Sequence, residues 1–198
     1  KNARAAAAVR NRIIDSLERA SKLSSMKNAQ PYLNFVVVGG GPTGVELSAE
    51  IAEFVRQMLK HNYRHLGASY HIYLLHKGDT LIPVAHPTAQ KKALLELTKQ
   101  GVTVRLQSEV TKVMKGCVEI NNKEKIFSNT IVWASGVKPT TIEMQPRTTL
   151  ERGYLPVNSF LQIRRVKDAF ALGDCALFFN PGENKPVPAL AQTATLQA

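Results

Sequence analysis

The sequence predicts an α/β fold with a central parallel sheet, and three observations carry that prediction. Strand-like runs stand at 35–38, 70–75, 102–106 and 130–134, of which 35–38 has the β-branched and aromatic character of a strand buried on both faces and 130–134 is again near-continuously apolar. Amphipathic segments at 45–60 and 89–100 lie between the first three runs, which is the alternation of a β-α-β-α-β chain. A glycine cluster, Gly39-Gly40-Gly41-Pro42-Thr43-Gly44, stands where the first run ends and the longer amphipathic segment begins.

Each element follows from its own pattern. Residues 4–23 place Ala5, Val9, Ile13, Leu17 and Ala20 at spacings of three and four, with Arg10, Arg12, Asp15, Glu18 and Arg19 off that stripe, so they form one amphipathic helix. Ser24, Ser25, Asn28 and Pro31 break the pattern before the first strand at 35–38. Beyond the glycines, Val45, Leu47, Ile51, Ala52, Val55 and Leu59 keep helical spacing to Lys60, a helix of roughly 25 Å at 1.5 Å per residue.

A polar stretch at 61–69 leads to the second strand, and a loop with Pro83, His86 and Pro87 leads to the helix at 89–100, which Gly101 ends. The third strand is 102–106. The segments 110–115, 117–121 and 125–127, separated by Gly116 and the turn Asn121-Asn122-Lys123, read as a small antiparallel meander. The run at 130–134 returns to the parallel sheet. Segments 153–157 and 169–172 read as further short strands.

Bulk composition narrows the function classes. The 198 residues, 44% hydrophobic and 21% charged, suffice for one sizeable core, or for one domain with pieces of a neighbour. No apolar run reaches the roughly 18 residues that a membrane-spanning helix needs. The net charge of +11 favours anionic partners such as nucleotide phosphates, yet the basic residues are scattered without interleaved aromatics, which argues against nucleic acid. Cys117 and Cys175 are far apart and match no metal-ligand or C-x-x-C spacing. That excludes a zinc site and a redox-active disulfide within the segment, and it makes reducing surroundings the expectation. The chain begins at Lys1 without a signal-peptide pattern and reads as a fragment.

The glycine cluster is a G-x-G-x-x-G match in the context its chemistry requires, directly after a strand and at the mouth of a helix. This makes residues 34–44 the phosphate-binding turn of a Rossmann unit. Gly39 permits the tight turn, Gly41 lets the main chain approach a pyrophosphate, and Gly44 allows close packing of helix on strand. At the end of the second strand, where a carboxylate takes the ribose of NAD, the sequence has His76-Lys77, with Asp79 three residues late. Two readings stand there: His76 and Lys77 accept the extra phosphate of NADP, or they are solvated while Asp79 or main-chain groups hold the ribose. Glu46 has two readings as well, a first-turn carboxylate favoured by the helix dipole or a group facing the nicotinamide ribose. Gly173-Asp174, after the run at 169–172, has two readings: an aspartate placed to accept from a hydroxyl of a nucleotide cofactor, or an ordinary turn. Cys175 is a small packing group.

Several ordered motifs together resemble type II NADH dehydrogenase, the FAD-containing NADH:quinone oxidoreductase of the two-dinucleotide-binding-domain flavoproteins. They are residues 36–47, Leu81-Ile82-Pro83, residues 131–137, Leu172-Gly173-Asp174 and Ala191-Gln192-Thr193-Ala194. The resemblance covers nearly the whole chain. It implies a linker helix from a preceding FAD domain at 1–27, an NAD(P)H-binding domain at 28–145 and part of a second FAD segment at 146–198. It further implies that Gly39, Gly40, Gly41, Pro42, Thr43 and Gly44 hold the NADH pyrophosphate, with Ser135 and Gly136 on its other side. Glu46 then lies near the nicotinamide, Gly173 and Asp174 meet the flavin, and Gln192 lies near flavin and quinone.

In such an enzyme a hydride passes from NADH, with NADPH as the alternative donor, to FAD and on as electrons to a quinone. The whole enzyme would sit peripherally on the cytoplasmic side of a membrane, docked by a C-terminal region this chain lacks, with a homodimer as one arrangement. Two departures stand out: His76 occupies a position that is commonly acidic, and Leu196 stands where a glutamine is expected. The first FAD-binding glycine turn is also missing, so the chain alone is expected to be catalytically incompetent. A reductase with a different acceptor and a non-catalytic nucleotide-binding module are the rival readings.

Overall fold

The structure is a computed structural model and describes residues 3–67, 69–136, 139–141, 149–180, 182, 186–187 and 191–198. The chain divides into two compact units, Lys1–Gly136 and Val137–Ala198. In the first, helix α1 (Ala3–Ser21) and helix α2 (Met26–Leu33) precede strand β1 (Asn34–Val38), helix α3 (Pro42–His61) and strand β2 (His71–Leu75). Helix α4 (Pro87–Lys99), strand β3 (Val102–Arg105), the strands β4 (Val110–Met114), β5 (Cys117–Ile120) and β6 (Glu124–Phe127), and strand β7 (Thr130–Trp133) follow.

Four strands form one parallel sheet in the order β3-β2-β1-β7. Val38 lies opposite Leu75 on one side and Trp133 on the other. Because successive strand residues face opposite ways, Phe35 and Val37 point to one side and Val36 and Val38 to the other. The first side packs on Ile13 and Leu17 of α1, Leu33 of α2 and Ile51 and Val55 of α3. The second packs on Val118, Ile120 and Ile126 of the antiparallel β4-β5-β6 meander. Both sides are therefore apolar, and all five residues of β1 are buried. This is the predicted Rossmann-like fold with a small meander, the meander covering one face of the sheet.

Three expectations are corrected. Residues 26–33, read as a break, form α2 with Pro31 inside it. Proline removes one donor from a helix, and here the burial of Ala29 and Leu33 four residues apart outweighs that loss while the Pro31 carbonyl accepts from the Asn129 N–H at 2.8 Å. The buried stripe of α1 starts at Ile13, not Ala5: Ala5 is exposed and Val9 half-buried. Glu46 lies in the second turn of α3, because the helix begins at Pro42, and so it gains little from the helix N-terminus.

Polar contacts tie α1 to the edge strand. Ser16 Oγ and Thr130 Oγ1 share a buried hydrogen bond of 2.9 Å, and Arg12 donates from Nε to the Asn129 carbonyl at 2.9 Å. Replacing Ser16 by Ala leaves the Thr130 hydroxyl buried alone and is expected to cost about 1 kcal/mol in urea unfolding. Adding Thr130→Val in the same chain should recover most of that loss, since removing both partners leaves no orphaned group.

The second unit holds a parallel pair, β8 (Leu155–Pro156) and β9 (Ala176–Leu177), over a small core of Leu155, Val157, Ile163 and Ala171, and ends in helix α5 (Ala191–Gln197). The expected strands at 153–157 and 169–172 shrink accordingly. The first reduces to β8 with isolated bridges at Tyr154 and Val157 on either side of it, and the second, among the described residues, makes the single bridge Gln162–Phe170. Left-handed backbone at Leu161, Arg165 and Asp168 turns the chain too often for a longer ladder. Gly173–Cys175 form one 3₁₀ turn, so Asp174 sits in a turn and not at a strand end.

Candidate functional site

The carboxyl ends of β1, β2 and β7 meet at the glycine turn. Gly39 closes the turn with φ +116°, donating its N–H to the Leu75 carbonyl at 2.8 Å; a Cβ there would lie 2.8 Å from the Ser135 backbone nitrogen. A Cβ on Gly44 would collide with the Gly39 carbonyl, so helix and turn approach as only glycine allows. Around Gly41 the space is open, with no atom within 4 Å of where a Cβ would stand.

The mouth of α3 presents main-chain donors to a ligand. Gly41 is the N-cap, Pro42 has no N–H to leave unsatisfied, and the first intrahelical bond runs from the Val45 N–H to the Gly41 carbonyl at 3.0 Å. The N–H groups of Gly41, Thr43 and Gly44 therefore precede the helical ladder and, among the described residues, have no acceptor of their own. With the positive end of the helix dipole behind them they suit a diphosphate. The residues present fit the pyrophosphate of a dinucleotide.

The remaining predicted residues fall into place around this centre or apart from it. Ser135 and Gly136, both exposed, follow β7 beside Gly39, and the Ala134 N–H bonds the Val38 carbonyl at 2.8 Å. Glu46 is exposed on α3. Lys77 and Asp79 are exposed, whereas the half-buried His76 turns its ring under the turn, its Nδ1 accepting the Gly40 N–H at 3.1 Å. Sequence reasoning missed this contact. It also missed Ile82, whose N–H donates to the Gly40 carbonyl at 2.8 Å and braces the turn from the same loop.

Beside Thr43 an apolar groove of about 470 Å³ opens between the exposed half of α1, α3 and the end of β7, with Val9, Leu47, Phe54 and Trp133 among its walls. In the second unit, Gly173 donates its N–H to Gln197 Oε1 at 2.8 Å, while Asp174 and Gln192 are exposed. Gln197, five residues beyond Gln192, was not singled out from the sequence. Among the described residues no cluster of His, Cys, Asp and Glu could hold a metal ion, and no helix is long and apolar enough to cross a membrane.

A parallel sheet whose first strand runs through a glycine turn into a helix with unclaimed amide donors defines a dinucleotide-binding protein of the Rossmann type. The chain belongs to the pyridine nucleotide-disulphide oxidoreductase family, whose model matches residues 5–198. It is 30% identical over 198 residues to a probable NADH dehydrogenase of Dictyostelium discoideum, covering 96% of this chain and 42% of that protein. It is also 30% identical to the type II NADH:quinone oxidoreductase Ndh of Mycobacterium tuberculosis, covering 94% of this chain and 41% of that one. The structure of NDH2 from Plasmodium falciparum in complex with NADH superposes with a TM-score of 0.76 at 26% identity, covering 89% of this chain and 38% of that one. The chain thus spans about two-fifths of the length of these relatives.

Proposed function

We propose that this chain is the nicotinamide-nucleotide-binding part of a type II NADH:quinone oxidoreductase. The observation that carries the reading is the set of free N–H donors at Gly41, Thr43 and Gly44, set by a glycine turn in which Gly39 and Gly44 are sterically required. Its similarity to NADH:quinone oxidoreductases supports the choice of donor and acceptor.

In this reading residues 28–145 hold NADH, residues 1–27 link them to an FAD domain, and residues 146–198 belong to the second FAD segment. The glycine turn holds the pyrophosphate, Ser135 and Gly136 flank it, and Glu46 borders the nicotinamide side. Lys77, exposed beside the turn, is the group that would accommodate the extra phosphate of NADPH. Asp174 and Gly173 offer an acceptor and a turn to FAD, and Gln192 faces the flavin and quinone region. Those few residues form only part of a flavin seat. When bound, NADH supplies a hydride and FAD relays it as two electrons to quinone. The protein's part is to position the nicotinamide, so hydride transfer requires no general acid or base from this chain. Peripheral membrane docking, on the cytoplasmic side, and dimerisation belong to the whole protein.

Calorimetric titration of the chain with NADH tests the reading directly, and saturable one-to-one binding is the expected result. Absence of binding by NADH and by NADPH overturns it. For the whole protein, NADH oxidation coupled to a soluble quinone is the expected activity; a purified protein that carries FAD yet reduces no quinone defeats the choice of acceptor.

A further inference from the structure

The His76 side chain sits where the sequence suggests a nucleotide contact, yet its ring faces inward. The Gly40 N–H donates to Nδ1 at 3.1 Å, and the Thr80 main chain hydrogen-bonds the ring as well. A nitrogen that accepts cannot carry a proton, so these partners select the neutral tautomer with hydrogen on Nε2. Packing reinforces the placement: a Cβ on Gly40 would meet the ring at 2.6 Å, and one on Gly78 would meet Nε2 at 2.8 Å. The His76 main chain is held too, its N–H on the Arg105 carbonyl at 2.9 Å and its carbonyl on the Ser108 N–H at 2.8 Å.

We propose that His76 is a positioning residue which, through its neutral ring, fixes the glycine turn in the shape that receives the nucleotide, so that protonation of the ring releases the turn and weakens binding. The proposal rests on the reading of the turn as the NADH pyrophosphate site. Protonation would place an N–H on Nδ1 against the Gly40 N–H, and two donors cannot share a hydrogen bond. Gly40 would have to move, and Gly41 is its neighbour. The charged groups around the ring are few. Lys77 opposes its protonation, Asp79 and the Thr80 main chain favour it, all from its own loop, while the glycine turn brings no charge. Arg105, at the end of β3, pairs its guanidinium with both carboxylate oxygens of Glu124. Burial, and after it Lys77, hold the ring below the usual imidazole value of 6.5.

The sign of the pH effect separates this role from a direct phosphate contact. An imidazolium reaching for a phosphate would strengthen binding as pH falls. A neutral brace does the opposite: each unit below the ring's midpoint weakens binding by up to about tenfold, as only the neutral population is competent.

The test uses the 198-residue chain and His76→Asn, whose Oδ1 can stand in for Nδ1 as an acceptor but does not titrate. In the nucleotide-free chain, the amide resonance of Gly40 should shift with the same midpoint as the His76 ring between about pH 8 and about pH 5.5. It should stay still in the variant. NADH affinity measured by calorimetry across the same range should fall with pH in the unmodified chain and stay level in His76→Asn, with circular dichroism showing both folded throughout. A Gly40 amide that ignores the ring, affinity that rises toward acid, or equal slopes in the two proteins overturns the proposal. Binding at pH 8 with a flat response in the unmodified chain overturns it alone, whereas no NADH binding by either protein at pH 8 overturns the nucleotide reading with it.

Discussion

Replacing Gly41 by Glu is expected to lower NADH affinity about a hundredfold or more, a loss of roughly 2.8 kcal/mol, while leaving the melting temperature of the chain nearly unchanged. The two halves of that result have separate causes. Gly41 has φ −75° and ψ 179°, which any residue adopts, and no atom lies within 4 Å of its missing Cβ, so the fold gains no strain. The new carboxylate stands at the mouth of α3, beside the unclaimed amides. Two like charges about 4 Å apart in a medium of effective dielectric near 20 repel by about 4 kcal/mol, enough to produce the loss. Calorimetry and a thermal melt on the same sample check both halves. Full affinity in a folded variant would remove the pyrophosphate from the turn.

Gly44→Val should do the reverse, striking the fold first. Its Cβ meets the Gly39 carbonyl, a main-chain atom with no rotamer to change, inside a turn already pressed on Ser135. Overpacking of this kind costs about 3 kcal/mol at the upper end of its range. Helix propensity alone predicts the opposite sign, since glycine within a helix is about 0.8–1 kcal/mol worse than alanine and somewhat less so relative to valine. Urea unfolding decides between them. A variant as stable as the original chain would mean that helix and turn are not packed as described. With the turn displaced, nucleotide affinity should fall in the same variant.

The glycine turn was legible in the sequence because local rules dictate its residues. A positive φ at Gly39 and a close backbone approach at Gly44 leave no alternative side chain. The central strand was legible for a related reason: a strand covered on both faces loses the polar alternation of half-exposed ones, and β1 shows five buried residues in a row.

What could not be read depends on contacts distant in sequence. Nothing near His76 says that its ring turns toward Gly40, 36 residues away, instead of toward solvent. Pro31 gave a correct local warning, yet the buried pair Ala29 and Leu33 overrode it. The apolar runs at 153–157 and 169–172 suggested strands, yet left-handed backbone at Leu161, Arg165 and Asp168 between them cuts their ladder short, and nothing in the residue types at Leu161 and Arg165 announces it. Gln197 escaped notice because its partner is the amide of Gly173, made available by a turn rather than by a motif.

The place of β7 at the edge of the sheet has a kinetic consequence. Val38 and Trp133 are register partners about 95 residues apart, with the whole of the meander between them, so their pairing closes one of the longest loops in the unit. Pairings at such separation carry the largest entropy of loop closure, which local helices and neighbouring strands reduce when they are already formed. Since Gly39 is packed against Ser135, just past β7, the dinucleotide seat exists only where that long-range pairing has been made. A nucleotide that binds the completed seat and no earlier species would slow the reopening of this edge, and its occupancy would report how much of the population has finished folding.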